Sequence, residues 1–368
     1  MKLRIGILST RGIPNRYGGF EQFASYLSQG LVMNGHEVCV YNSHQHPYKE
    51  NNWNGVKIIR CYDPENWMGT AGQFIYDLNC IIDARKRKFD ILLVLGYTSS
   101  SVWSWLYPKK SIIITNMDGL EWKRSKYAAP VQRFLQYAEK LAARWSDKHV
   151  ADSIPIKEYL TEKYSINAEY ISYGATLPER TDETILEQYG LIKNEYYLIM
   201  ARMEPENHIE TILDGLATNR KQRQVLVIGN TKNTYGKKMT GKFSEHQQII
   251  FAGAVYDHIA LDTLRTYCKI YFHGHSVGGT NPSLLEAMAC GAMICAQDNA
   301  FNRAVLQDDA FYFYSYEDVL EIANTDVDET NRTRMIERSR QKILDHHSWD
   351  KIIGAYEQFF IQSYLTGK

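Results

Sequence analysis

K-I-Y-F-H-G-H-S-V-G-G-T-N-P-S-L-L-E-A-M-A-C, residues 269–290, reads as a strand over 269–272, a polar loop and a helix. Asn281 is placed to cap that helix and Pro282 to be its first residue. The first N–H groups of such a helix have no partner within it and carry the positive end of its dipole, so the arrangement can dock a diphosphate without a side chain. Gly278 and Gly279 let the backbone come close to a ligand. A strand, a glycine-bearing loop and a helix repeated along a chain specify a parallel α/β sheet, and this stretch is the clearest instance.

Outward from it, the same alternation runs in both directions. Residues 196–201, 224–229, 249–252 and 293–296 read as further strands separated by helical periodicity, and residues 202–208 (R-M-E-P-E-N-H) form a loop after the first of them. Earlier, residues 3–9 run apolar as a strand buried on both faces does. The loop S-T-R-G-I-P-N-R-Y-G-G follows at 9–19, and Phe20, Phe23, Ala24, Leu27 and Leu31 recur at helical spacing. Strands at 37–41, 56–60, 91–95, 111–115, 148–152 and 169–172 alternate with helices, one of them expected from Ser99. The turn-rich stretch 173–180 reads as a linker.

The expected architecture is therefore α/β, with two Rossmann-like parallel-sheet domains. Residues 1–176 form an N-terminal domain and 177–345 a C-terminal one. The amphipathic segment 346–368, with Trp349, Ile352, Ile353, Tyr356, Phe359 and Phe360 on helical spacing, is a packing helix that returns to the first domain. Ligands in such sheets sit at the carboxyl ends of the strands. N-M-D-G-L-E-W-K-R at 116–124 follows the 111–115 strand, so it is candidate site material.

With 368 residues the chain is long enough for two full cores. Lys+Arg and Asp+Glu both number 42, which leaves no global field to draw in nucleic acid. The opening residues read as a strand without a signal-peptide pattern, and no apolar run approaches the ~18 residues of a membrane span. A cytoplasmic location is expected, with peripheral contact at the inner face of the membrane left open. The six cysteines include no C-x-x-C pair and fall mostly in apolar segments, as reduced, buried thiols do. No G-x-G-x-x-G follows the first strand, which argues against a dehydrogenase. His273 and His275 share a face of a strand but have no acidic partner nearby in sequence, so no metal site is expected.

R-G-I-P-N-R-Y-G-G-F-E at 11–21, N-M-D-G-L-E-W-K-R, M-E-P-E-N at 203–207 and H-S-V-G-G-T-N-P-S-L-L-E-A-M-A at 275–289 resemble, in order, the signatures of family 4 retaining glycosyltransferases. These have the GT-B fold, two such domains facing each other across a cleft. The blocks are similar to those of a bacterial branch with many rhamnosyltransferases, including enzymes that add β-1,4-L-rhamnose from dTDP-L-rhamnose to lipid-linked polysaccharide precursors.

The resemblance implies roles by position. Glu286 matches the glutamate that binds the nucleotide ribose, and Arg202 the arginine that binds the donor phosphate. Gly18 and Gly19 match the loop approaching the donor phosphate or acceptor, where a side chain would clash. Asn207, His275, Gly278, Gly279, Thr280 and Asn281 complete the donor set. Asp118 is the candidate for orienting acceptor or donor, or for serving as base, with Glu121 second; Tyr17, Asp118, Trp122 and Arg124 form the acceptor set. Two positions depart from the family: a second glutamate is replaced by Gly278, and the usual lysine by Asn207. The loss fits a donor other than the common UDP-hexoses. The resemblance further implies retention by front-face departure and attack, without metal or cofactor. The implied partners are a nucleotide sugar, an undecaprenyl-diphosphate-linked saccharide acceptor and the membrane surface. Arg85-Lys86-Arg87-Lys88 and Lys109-Lys110, with Trp103, Trp105 and Tyr107, are the basic-aromatic stretches that could meet that surface. Two alternatives stay open: a UDP- or GDP-sugar donor on the same fold, and a catalytically silent subunit that binds a nucleotide sugar.

Overall fold

The computed structural model describes every residue except Tyr17, Ser125, Arg220, Gln222 and Lys368. The chain divides into two compact units. The first contains residues 1–123, 127–173 and 349–368, and the second 124–126 and 174–348.

In the first unit the strands are β1 (Arg4–Leu8), β2 (Glu37–Ser43), β3 (Asn52–Trp53), β4 (Val56–Cys61), β5 (Ile91–Leu95), β6 (Ile112–Asn116), β7 (Lys148–Ala151) and β8 (Glu169–Tyr170). They form one sheet in the order β3-β4-β2-β1-β5-β6-β7-β8, parallel except where β3 meets β4. β5, Ile-Leu-Leu-Val-Leu, is buried at all five positions, as a central strand with both faces covered must be. The β3–β4 hairpin turns through Asn54 and Gly55, both at positive φ, in a two-residue loop suited to the twist of antiparallel strands.

The helix expected from Ser99 is instead a 3-10 helix, Ser101–Leu106. Pro108 is the reason: it forces Tyr107 into extended backbone (φ −54°, ψ 146°), so the run stops before an α-helix is established.

The terminal helix Trp349–Thr366 packs on the helix Gly19–Met33 within this unit. Trp349 stacks on Tyr26 at 4.4 Å between ring centroids, and Tyr356 meets Phe23 edge-on. The Tyr356 hydroxyl accepts a hydrogen bond from Asn116 Nδ2 at 3.2 Å. Ile352, Tyr356 and Phe360 are buried, each contributing about 1.5–3 kcal/mol of apolar burial.

The second unit carries β9 (Tyr196–Met200), β10 (Gln224–Ile228), β11 (Ile249–Gly253), β12 (Ile270–His273), β13 (Ile294–Gln297) and β14 (Phe311–Phe313), in the all-parallel order β11-β10-β9-β12-β13-β14. Its core gathers Tyr197, Ile199, Val225, Val227, Ile270 and Phe272 from the central strands beneath Ile209, Ile212, Leu213 and Leu216 of the helix Ile209–Ala217. The order reverses direction between β9 and β12, so their two loops emerge side by side at the carboxyl edge, the ligand position of such sheets.

Candidate functional site

The loop after β9 runs through a 3-10 turn, Pro205–Asn207, and His208 at φ 47° before the helix Ile209–Ala217 begins. The loop after β12 occupies residues 274–281 and opens the helix Pro282–Ala289, where Asn281 Oδ1 accepts from Ser283 N–H at 2.9 Å. The two loops touch along their backbones. A Cβ at Gly274 would lie 1.9 Å from the Asn207 carbonyl oxygen, so only glycine fits there. Ser276 donates through both its N–H (3.2 Å) and its hydroxyl (2.9 Å) to the Glu206 carbonyl. His208 Nδ1 lies 2.9 Å from the Gly274 carbonyl, which can only accept, so that nitrogen carries the proton.

Side chains complete the knit. Asn207 Nδ2 donates to the Arg202 carbonyl at 2.7 Å while its Oδ1 meets His275 Nδ1 at 2.9 Å. Asn299 and Asn302 both donate to the His275 carbonyl, at 3.1 and 3.0 Å. Arg124 Nη1 reaches Glu206 Oε1 at 3.4 Å, and Glu206 Oε2 is buried without a hydrogen-bond partner among the described residues. Burial holds His273 neutral, its pKa lowered to about 3. His275 is also held well below the ordinary imidazole range, first by burial and then by His273, Arg124, Arg202 and His208 around it. Arg202 itself is exposed.

Glu286, in the second turn of the helix Pro282–Ala289, accepts from Arg265 Nη2 at 2.5 Å. Arg265 is buried and also meets Asp262 Oδ1 at 3.4 Å. The second unit thus brings together Arg124, Arg202, Asn207, His275, Gly278, Gly279, Thr280, Asn281 and Glu286. Arg124, assigned from sequence to the acceptor set, is grouped with the donor-set residues.

In the first unit, Gly18 and Gly19 start the helix Gly19–Met33 after β1, and Asp118 stands two residues past β6 at φ 47°, its N–H bonded to Asn116 Oδ1 at 3.0 Å. The Gly18 backbone is extended, and among the described residues an added Cβ would meet Glu21 Oε2 at 3.4 Å. Tyr17 lies outside the described residues. Glu121 and Trp122 form a 3-10 turn, and the Trp122 indole N–H is spent on Glu139 Oε2 at 3.1 Å. Lys123 and Lys163 lie over the Trp122 ring at 5.5 and 5.4 Å.

Glu139 is the unforeseen centre of this region. Buried in the helix Ala129–Trp145, it accepts from Tyr159 and Tyr164 hydroxyls at 2.7 Å each, Lys163 at 3.0 Å, Trp122, and Tyr97 at 3.3 Å. Asp77 is likewise buried, between the Ser9 (3.1 Å) and Ser99 (2.5 Å) hydroxyls, and burial raises its pKa to about 6. Glu21 accepts from Thr10 Oγ1 at 3.1 Å and Arg11 N–H at 2.9 Å. One signal could have found all three and Arg265: a charged residue inside the buried stripe of a helix, as in Leu135, Ala138, Glu139, Ala142 or Tyr76, Asp77, Cys80, Ile81. Among the described residues no three His, Cys, Asp or Glu gather in a group that could hold a metal ion, and no helix is long and apolar enough to cross a membrane.

Residues 2–176 match a domain of unknown function, DUF1972, and residues 182–342 match Glycosyl transferases group 1. No curated protein matches the chain. Among solved structures, a sucrose-phosphate synthase from Thermosynechococcus elongatus superposes with a TM-score of 0.81 at 16% identity, covering 99% of this chain and 100% of that one. Alr3699/HepE of Anabaena, solved with UDP and glucose, gives 0.77 at 15% identity over 98% and 100% of the two chains. A glycosyltransferase from Rickettsia africae gives 0.71 at 14% identity over 100% of both.

Proposed function

We propose that the chain, whose residues 182–342 match Glycosyl transferases group 1 and whose fold is that of solved glycosyltransferases, transfers L-rhamnose from dTDP-L-rhamnose to a lipid-linked saccharide in cell-surface polysaccharide assembly. The observation that carries the reading is the pairing of two loops at the carboxyl edge of the second sheet. Arg202 stands beside a glycine loop that opens a capped helix, and the histidines next to it are neutral. A cation and a helix N-terminus suit a diphosphate. Around the sugar, Gly278 and Asn207 supply neither a carboxylate nor an ammonium, which suits a 6-deoxy sugar better than a hexose gripped by a charged group.

In the proposed reaction the leaving diphosphate departs on the face from which the acceptor hydroxyl attacks, with retention. Arg202 and the N–H groups at the start of the helix Pro282–Ala289 stabilise the charge that develops on the diphosphate, usually the largest catalytic term. The leaving phosphate takes the acceptor proton, and Asp118, with Glu121 as the second choice, orients acceptor or donor or serves as base. No metal or cofactor takes part. On the helix Ala129–Trp145, Arg133, Tyr137, Lys140 and Arg144 share one exposed face, and Trp105 is exposed on the 3-10 helix packed against it. A cationic, aromatic face of this kind supports docking at an anionic membrane surface that presents the acceptor.

Calorimetric titration with dTDP, UDP and GDP, then dTDP-L-rhamnose and UDP-glucose, tests the reading. Preference for dTDP and its rhamnose conjugate is the expected result. Preference for UDP or GDP retires rhamnose and keeps the transferase, whereas sugar binding without transfer to any lipid-linked acceptor points to a silent subunit.

A further inference from the structure

The Asn207 amide has two fixed neighbours. Its Nδ2 donates to the Arg202 carbonyl at 2.7 Å, so the atom facing His275 Nδ1 at 2.9 Å is the amide oxygen. That oxygen can only accept, and His275 Nδ1 must therefore carry a proton. A neutral imidazole has one N–H, which leaves Nε2 as a bare lone pair. The ring stays neutral because it is buried beside His273, Arg124, Arg202 and His208. Its backbone is pinned by Asn299 and Asn302.

What Nε2 faces is set by Gly278. With φ at +126°, that residue is held where side chains are strained, and a Cβ there would sit 3.1 Å from Nε2. Glycine keeps the lone pair uncovered, and among the described residues no hydrogen bond reaches it. A lone-pair acceptor repels phosphate oxygens and takes an O–H or N–H. It stands beside Arg202, ahead of the helix that bears Glu286, so the group it meets belongs to the transferred sugar rather than to the nucleoside.

Resting on the donor-site reading above, we propose that His275 Nε2 accepts a hydroxyl of the transferred sugar and that Asn207 is the positioning residue that fixes the tautomer making it an acceptor. The pair reads the sugar and leaves the diphosphate to Arg202.

Two measurements test this. Ring-nitrogen NMR of the histidine-labelled wild-type protein near pH 7, with His275 assigned by its loss in His275→Phe or His275→Gln, is expected to show His275 protonated on Nδ1 and bare on Nε2. In Asn207→Lys, whose ammonium donates towards Nδ1, the proton should move to Nε2. Titrations with dTDP and dTDP-L-rhamnose, or with UDP and UDP-glucose if the wild type prefers them, read the consequence. His275→Phe should weaken the sugar conjugate about 10-fold, the worth of a hydrogen bond, and change the free nucleotide less than about twofold. His275→Gln, which keeps an acceptor oxygen, should recover part of the loss. A wild-type ring protonated on Nε2 or on both nitrogens overturns the inference without any ligand. Equal weakening of nucleotide and conjugate, or weakening of neither, overturns it as well. If the wild-type protein binds no nucleotide, the donor-site reading itself has failed, and the wild-type titration alone reveals that.

Discussion

The loops at the carboxyl edges of the two sheets are held together by opposite chemistry. In the first unit, buried carboxylates do it: Glu21, Asp77 and Glu139 each collect hydroxyl or N–H donors from several segments. In the second, amides and neutral imidazoles make most of the contacts, through Asn207, His208, His275, Asn299 and Asn302, and the buried carboxylate of Glu206 is paired with Arg124. Carboxylates in excess of cations disfavour a further anion, whereas at the second sheet Arg124 offsets Glu206 and the exposed Arg202 can meet one. The difference supports a diphosphate at the second sheet and a hydroxyl-bearing acceptor at the first.

The comparison breaks first, if it breaks, on Glu139. Replacing it with Ala leaves the buried Tyr97 hydroxyl and the half-buried Tyr159, Tyr164 and Trp122 donors without their acceptor, whereas the exposed Lys163 can turn to water, so urea denaturation should show a loss of about 2–4 kcal/mol, the cost of several unsatisfied donors. Asn207→Ala, which removes two neutral hydrogen bonds, should cost only about 1–2 kcal/mol. Equal costs would mean that the two regions are not built differently.

Next in size is Arg202→Ala. If the second site holds its diphosphate with this cation and a helix N-terminus, turnover should fall by roughly 10²-fold or more, as on removal of one preorganised donor. Turnover within a few-fold of wild type would remove Arg202 from the leaving-group role.

Much of this architecture was legible and some of it was not, for identifiable reasons. Two parallel α/β units followed from apolar runs alternating with helical periodicity, because a strand covered on both faces must be apolar throughout; β5 is the plainest case. The β3–β4 hairpin is hard to see in the sequence although Asn54-Gly55 announces its turn, since two residues of strand carry almost no periodicity. Residues 298–344 are illegible for related reasons: β14 is three residues long, and the helix Glu329–Lys342 buries Met335 and Ser339, too little to mark an apolar stripe. In the candidate site, loop positions stood out by motif, but Glu139, Asp77 and Arg265 did not. Their partners arrive from distant segments, and only the anomaly of a charge in an apolar stripe marks them.

Asp77 sharpens the contrast through pH. Its folded pKa, raised to about 6 by burial, lies above the ~3.9 of an unfolded aspartate, so the folded state holds the proton longer. Its contribution is fully present below about pH 4 and is lost as pH rises through about 6. Wild type should therefore lose roughly 2 kcal/mol relative to Asp77→Asn between about pH 4 and pH 7. Denaturation curves of both proteins across that window check it. A parallel pH dependence in the two would mean that Asp77 is ionised in the fold at no cost.

The smallest effect bears on the nucleoside. Glu286 commits one carboxylate oxygen to Arg265 at 2.5 Å, and Arg265 is buried, so it cannot turn to water for a substitute. That oxygen has a second lone pair, but turning it toward a ribose would lengthen its contact with a buried guanidinium whose other anionic partner, Asp262, stands at 3.4 Å. A vicinal diol wants both oxygens of a carboxylate, whereas a deoxyribose offers a single 3′ hydroxyl and asks for one. The 2′ hydroxyl should then add little, and UDP and dUDP should bind within about threefold of each other. A hydrogen bond to a charged acceptor is worth about 1.5–3 kcal/mol, or roughly 10-fold and upward. A tenfold preference for UDP would therefore show that Glu286 turns from Arg265 to the diol, and the thymidine nucleotide would lose its structural support.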